Sequence, residues 1–126
     1  MPQLEILVVD DDPLICEGIG VKLRGEGHVV TLAANGAEAL AVIRRQRFDA
    51  VVTDILMPER DGLELIAELH RSQPNVRVVA ISGGGRALGR EYLDAAARMG
   101  AHGVLAKPFS FSELASVLAR VVADRH

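Results

Sequence analysis

Short β-branched apolar runs alternate with longer stretches of helical spacing along the whole chain, and this alternation constrains the fold more than any other feature. Strand-like runs fall at Leu4–Val9, His28–Leu32, Ala50–Thr53, Val76–Ile81 and Gly103–Leu105. Between and after them, Leu14, Ile15, Ile19 and Leu23 recur at helical intervals, as do Leu40 and Ile43, then Leu63, Ile66 and Leu69, and finally Leu114, Leu118 and Val121. Parallel strands require crossover connections, and a strand–helix repeat supplies them. The expected fold is α/β: a (βα)5 doubly wound, five-stranded parallel sheet with helices on both faces. The first, third and fourth runs are nearly continuous in apolar character, as suits central strands covered on both sides.

The punctuation between the runs agrees. Asp12-Pro13 offers an N-cap followed by proline in the first helical turn, and Gly25 and Gly27 bracket the end of that helix. Asn35-Gly36 opens a second helix and Asp61-Gly62 a third. Ser110 and Glu113 have capping-box spacing ahead of the last. No linker and no low-complexity segment interrupts the pattern, so residues 1–126 are expected to form one domain.

Composition excludes several function classes. Fourteen basic against seventeen acidic residues give a net charge of -3, the wrong sign for a dedicated nucleic-acid binder. No apolar run approaches the ~20 residues of a membrane span. The start Met1-Pro2-Gln3-Leu4-Glu5 has neither the basic nor the apolar part of a secretory signal. Cys16 is the single cysteine, so neither an intrachain disulfide nor a cysteine zinc cluster can form. It is expected to be a buried, apolar-like residue of the first helix. His28, His70, His102 and His126 lack metal-ligand spacing. A cytoplasmic domain is the expectation.

In an open parallel sheet, functional groups gather beyond the carboxyl ends of the strands. The first run ends in Asp10-Asp11-Asp12, the third in Asp54, the fourth in Ser82, and the fifth leads into Lys107-Pro108. Asp12 is accounted for as a helix cap. Asp10, Asp11 and Asp54 on one edge would repel one another unless protonated or neutralised by a cation, and a hard, hydrated ion such as Mg2+ suits that role. An aspartate held beside a metal can act as a nucleophile toward phosphorus. Lysine and hydroxyl groups then supply the charge neutralisation that phosphoryl transfer needs.

Taken together, the stretches Ile6 to Pro13, Val52-Thr53-Asp54-Ile55-Leu56-Met57-Pro58, Asp61-Gly62, Ala80-Ile81-Ser82 and Lys107-Pro108-Phe109 resemble the receiver domain of bacterial two-component response regulators. The motifs span nearly the whole chain, in order and at suitable spacing. The resemblance implies a flavodoxin-like sheet of order 2-1-3-4-5 and a cis peptide before Pro108. It implies Asp54 as phospho-acceptor, with Mg2+ held by Asp10, Asp11, Asp54 and the main-chain carbonyl of Leu56. Ser82 would be the hydroxyl position and Lys107 the phosphate-pairing lysine. The partners implied are a sensor histidine kinase or histidine phosphotransfer protein and a downstream protein target, with Pro58, Glu59 and Arg60 placed to touch the donor. The domain would catalyse only its own phosphorylation and dephosphorylation.

The sequence departs from the family pattern at Val104, where many receivers carry an aromatic ring that rotates on activation. The glycine-rich stretch Ser82-Gly83-Gly84-Gly85-Arg86 is the alternative place for a switch. Those glycines do not make a phosphate loop, since Arg90-Glu91 stands where Lys-Ser/Thr is required. A small Mg2+-dependent phosphohydrolase is the competing reading, but Ile55 and Leu56 follow Asp54 where an acid would be wanted, and no cap is evident. A flavin binder would want rings beside the first or third strand, and Phe48, Tyr92, Phe109 and Phe111 lie elsewhere. With the last helix reaching nearly to His126, the expectation is a stand-alone receiver without an output domain, the alternative being excision from a larger regulator. As Leu114, Val117, Leu118 and Val121 serve the core first, a monomer or weak dimer is expected.

Overall fold

A computed structural model describes residues 3–55, 62–83, 91 and 94–124. Strands β1 (Glu5–Val9), β2 (Val29–Ala33), β3 (Ala50–Asp54), β4 (Arg77–Ser82) and β5 (Gly103–Ala106) form one sheet in the order β2-β1-β3-β4-β5. Every pairing is parallel. Helices α1 (Pro13–Gly25), α2 (Gly36–Ile43), α3 (Gly62–Ser72) and α4 (Phe111–Ala123) surround it, and residues 94–98 are helical ahead of β5. The strands with continuous apolar runs, β1, β3 and β4, are the three interior ones. Observed strand limits differ from the sequence reading by about one residue: β2 and β4 begin after His28 and Val76, and β5 extends to Ala106.

Alternation along the interior strands explains why they are apolar throughout. Leu7, Val9, Val51, Val78 and Ala80 face one core with Leu40, Ile43, Leu65, Ile66, Leu69 and Ala96, under α2, α3 and the 94–98 turn. Ile6, Val8, Val52, Val79 and Ile81 face the other, with Ile19, Leu23, Leu114, Leu118 and Val121 from α1 and α4. Successive side chains on a strand point to opposite faces, so a sheet covered twice needs apolar residues at every position. Cys16 is buried in the second core, as its neighbours in sequence suggested.

The helix boundaries follow their capping chemistry. The Asp12 carboxylate accepts the Leu14 N–H at 3.0 Å and Pro13 begins the first turn. Gly27, at φ +94°, ends α1: its N–H donates to the Arg24 carbonyl at 2.9 Å and the His28 N–H to the Leu23 carbonyl at 3.2 Å. This is a Schellman closure, which the left-handed conformation of glycine makes easy. Asn35 accepts the Glu38 N–H at 2.9 Å, and Ser110 with Glu113 forms the expected capping box. Asp61 lies outside the described residues.

Side chains also close the amino-terminal edge of the sheet. The Leu4 N–H donates to His28 Nδ1 at 3.1 Å, Glu5 N–H to Asp49 Oδ2 at 2.8 Å and Val78 N–H to His102 Nδ1 at 3.0 Å. Gln73 accepts the Phe48 N–H at 3.1 Å and donates to the Ile43 and Gln46 carbonyls, both at 2.9 Å.

Candidate functional site

The strand register decides what meets at the carboxyl edge. Val9 pairs with Thr53 and Asp54 with Ile81, so Asp10 and Asp54 leave adjacent strands side by side. Ser82 pairs with Ala106, and the Lys107 N–H donates to the Ser82 carbonyl at 2.9 Å, which brings the lysine to the same edge. Asp10, Asp54 and Ser82 are 1%, 3% and 2% exposed, while Asp11 is exposed to solvent. One carboxylate oxygen from each of Asp10, Asp11 and Asp54 lies within 4.8 Å of the others. The Lys107–Pro108 peptide is cis.

Lys107 is the hinge of this cluster. Its ammonium stands 3.0 Å from Asp10 Oδ2 and 3.1 Å from Asp54 Oδ2, bridging the two buried carboxylates. Burial alone would lower its pKa, but hydrogen bonding to Asp10 and the charges of Asp54 and Asp10 outweigh that and hold it above the ordinary lysine value. Burial raises the Asp10 carboxyl above its ordinary value, with the Asp12 N–H and Lys107 offsetting only part of the effect. That N–H lies 2.9 Å from Asp10 Oδ1. Among the described residues, one lysine faces three carboxylates, so negative charge outweighs positive there. The Ser82 hydroxyl is buried without a hydrogen-bond partner among the described residues. An unpaired buried hydroxyl is unfavourable unless a ligand atom completes it.

The structure thus gathers Asp10, Asp11, Asp54, Ser82 and Lys107 on one edge. Leu56, Pro58, Glu59, Arg60 and residues 84–90 lie outside the described residues. Val104 is 39% exposed at the middle of β5. One participant, Thr53, and one role of Lys107 had no signal in the sequence. Thr53, fully buried, donates through Oγ1 to the Asp54 carbonyl at 2.9 Å and fixes the end of β3. Lys107 bridges carboxylates, where the sequence suggested only a later phosphate partner. Beside the cluster, a groove of about 620 Å³ opens between α1 and the start of α4, lined by Leu14, Ile15, Ile19, Pro108, Phe109 and Phe111. Leu14 at its rim is 80% exposed.

A doubly wound sheet with an acid–lysine–hydroxyl edge defines a class of phosphoryl-handling domains, and comparison with known proteins gives the family. The response regulator receiver domain matches residues 6–119, and the chain belongs to that family. It is 40% identical over 80 residues to the transcriptional regulatory protein GlrR of Escherichia coli, covering 64% of this chain and 18% of that protein. It is 35% identical over 109 residues to the probable transcriptional regulatory protein TcrX of Mycobacterium tuberculosis, covering 86% and 45% respectively. The chain therefore spans less than half of either relative. Among solved structures, the chemotaxis response regulator CheY4 of Vibrio cholerae superposes with a TM-score of 0.85 at 29% identity, covering 95% of this chain and 99% of that one. Among the described residues, no helix is long and apolar enough to cross a membrane.

Proposed function

We propose that this receiver is a phosphorylation-dependent signalling switch in which Asp54 accepts the phosphoryl group. The observation that carries the reading is the Lys107 ammonium bridging Asp10 and Asp54 beside the buried Ser82 hydroxyl, which has no hydrogen-bond partner among the described residues. The Asp54 carboxylate forms a bond to phosphorus as the P–N bond of a phosphohistidine, or the P–O bond of a small acyl phosphate, breaks. Lys107 stands where it can pair with the incoming phosphoryl oxygens, and Ser82 supplies a hydroxyl donor to one of them. Hydrolysis of the acyl phosphate then restores the carboxylate, so the domain acts on its own modification rather than on a metabolite.

Asp10, Asp11 and Asp54, with the Leu56 carbonyl that the family pattern adds, would hold Mg2+. Converging oxygen donors with excess negative charge fit a hard divalent cation. When bound, it supplies neutralisation of charge on the phosphoryl oxygens. The donor would be a sensor histidine kinase or histidine phosphotransfer protein in the cytoplasm, and the apolar groove beside Lys107 offers it a surface. Output would pass by contact with a downstream protein. Ile55 and Leu56 follow Asp54, so neither position supplies the general acid that a phosphohydrolase would use near its nucleophile.

Incubation with a small acyl phosphate followed by intact-mass measurement tests the reading. A single phosphoryl adduct that requires Mg2+ and disappears in Asp54→Asn is expected. No adduct, or an equal adduct on Asp54→Asn, would refute it.

A further inference from the structure

We propose that the outer edge of β2 is a strand-pairing surface for a second copy of this chain, held shut by Arg24 and Glu38. β2 is the last strand on its side of the sheet. The Val29 N–H donates to the Leu4 carbonyl at 2.9 Å and the Ala33 carbonyl accepts the Asp10 N–H at 3.2 Å, so Val29, Thr31 and Ala33 turn their main-chain groups toward β1. Main-chain groups alternate in direction along a strand, so Val30, Leu32 and Ala34, the residue just past the strand, turn theirs outward. The strand Val29-Val30-Thr31-Leu32-Ala33 is uncharged and holds neither glycine nor proline, features that make an edge prone to pair.

Two charged side chains occupy that edge. Arg24 Nη2 donates to the Val30 carbonyl at 2.9 Å, and the Ala34 N–H donates to Glu38 Oε1 at 3.0 Å. Helix capping explains neither reach. A capping box would take the N–H of Asn35, the N-cap of α2, but Glu38 takes that of Ala34 one residue earlier. Arg24, in the last turn of α1, would serve that helix by bonding its free carbonyls, but it bonds the strand instead.

The two capped groups are partners in one specific arrangement. Hydrogen-bonded pairs in an antiparallel ladder recur at every second residue. A two-fold axis through Leu32 therefore pairs Leu32 with its own counterpart and Val30 with Ala34 of the second copy. The Val30 carbonyl then accepts the same N–H that Glu38 now holds. That register also sets Arg24 of one copy beside Glu38 of the other, opposite charges that attract. A second copy is thus the occupant that fits the edge, in a self-complementary pairing, and both caps must be released before the ladder forms.

Sedimentation equilibrium on wild type, Arg24→Ala and Arg24→Ala/Glu38→Ala tests the proposal, with thermal melting as a check on folding. Amide exchange of Leu32, followed by NMR over the same concentrations, locates the contact, because this N–H points outward in the single chain and is hydrogen-bonded in the pair. Wild type is expected to keep the mass of one chain. In the double variant the mass should rise toward that of two chains as concentration increases, and Leu32 exchange should slow several-fold, with Arg24→Ala intermediate. Should the double variant fail to fold, Arg24→Ala decides. A single-chain mass in every variant that folds, association equally strong in wild type, or association that leaves Leu32 exchange unchanged overturns the proposal.

Discussion

The two edges of the sheet handle polar groups in opposite ways. At the amino-terminal edge, backbone N–H groups of Leu4, Glu5, Phe48 and Val78 each find a side-chain acceptor, and Gln73 satisfies two carbonyls besides. At the carboxyl edge, buried carboxylates share a lysine, and a buried hydroxyl stands without a partner among the described residues. The first edge fastens the fold, whereas the second holds unbalanced charge that a ligand can settle. The same sheet thus separates stability from function along the strand direction, a division expected where function needs groups that folding alone would not choose.

Breaking the fastened edge should give the largest loss. Gln73→Leu removes an acceptor and a donor from three main-chain partners and leaves them buried. Unsatisfied buried groups cost about 1–3 kcal/mol each, so a loss of about 3 kcal/mol is expected as a lowered urea midpoint at unchanged m-value. A midpoint within experimental error of wild type would mean that this edge does not fasten the fold.

A substitution of similar burial at the opposite edge should act the other way. Asp10→Asn keeps an acceptor for the Asp12 N–H and removes a charge that burial disfavours. Because the folded carboxyl titrates above its ordinary value, its ionisation subtracts stability as pH rises through that window. In metal-free buffer the variant should gain about 1 kcal/mol. The same urea experiment would count against the comparison if the variant were clearly less stable.

The smallest effect concerns pH. Burial, then Arg77 and His70, hold the His102 pKa below its ordinary 6.5, and its Nδ1 must stay unprotonated to accept the Val78 N–H. The unfolded chain binds this proton more readily, so the stability His102 contributes is present above pH 6.5 and is lost as pH falls toward the depressed value. Loss of this hydrogen bond is worth about 1 kcal/mol. Denaturation midpoints measured across that window should slope downward on acidification, and His102→Gln should flatten part of the slope.

The contrast also marks what a single sequence can disclose. Interior strands were legible because β1, β3 and β4 carry apolar residues on both faces, and the caps at Asp12, Asn35 and Ser110 because they act on their own neighbours. Asp10, Asp54, Ser82 and Lys107 were legible because each sits at a strand end, where chain order alone puts them on one edge. The amino-terminal fastening was not: His28 meets Leu4, Gln73 meets Phe48 and His102 meets Val78 across 24 or 25 residues, with no local pattern to announce them. Those histidines have no metal-ligand spacing in the sequence, and their role as backbone acceptors needed the fold. The inward pairing of Lys107 was hidden for the same reason, since its carboxylate partners lie on other strands.

The most direct test of this division is to measure the stability of wild type and Asp10→Asn with and without Mg2+. A ligand that binds only the folded state raises its stability by an amount that grows with the logarithm of ligand concentration above the dissociation constant. Mg2+ is expected to raise the urea midpoint of wild type, Asp10→Asn to show little or no response, and the variant's advantage in metal-free buffer to be lost once Mg2+ is present. An equal response in both proteins, or none in wild type, would contradict the claim that the carboxyl edge holds charge in readiness for a cation.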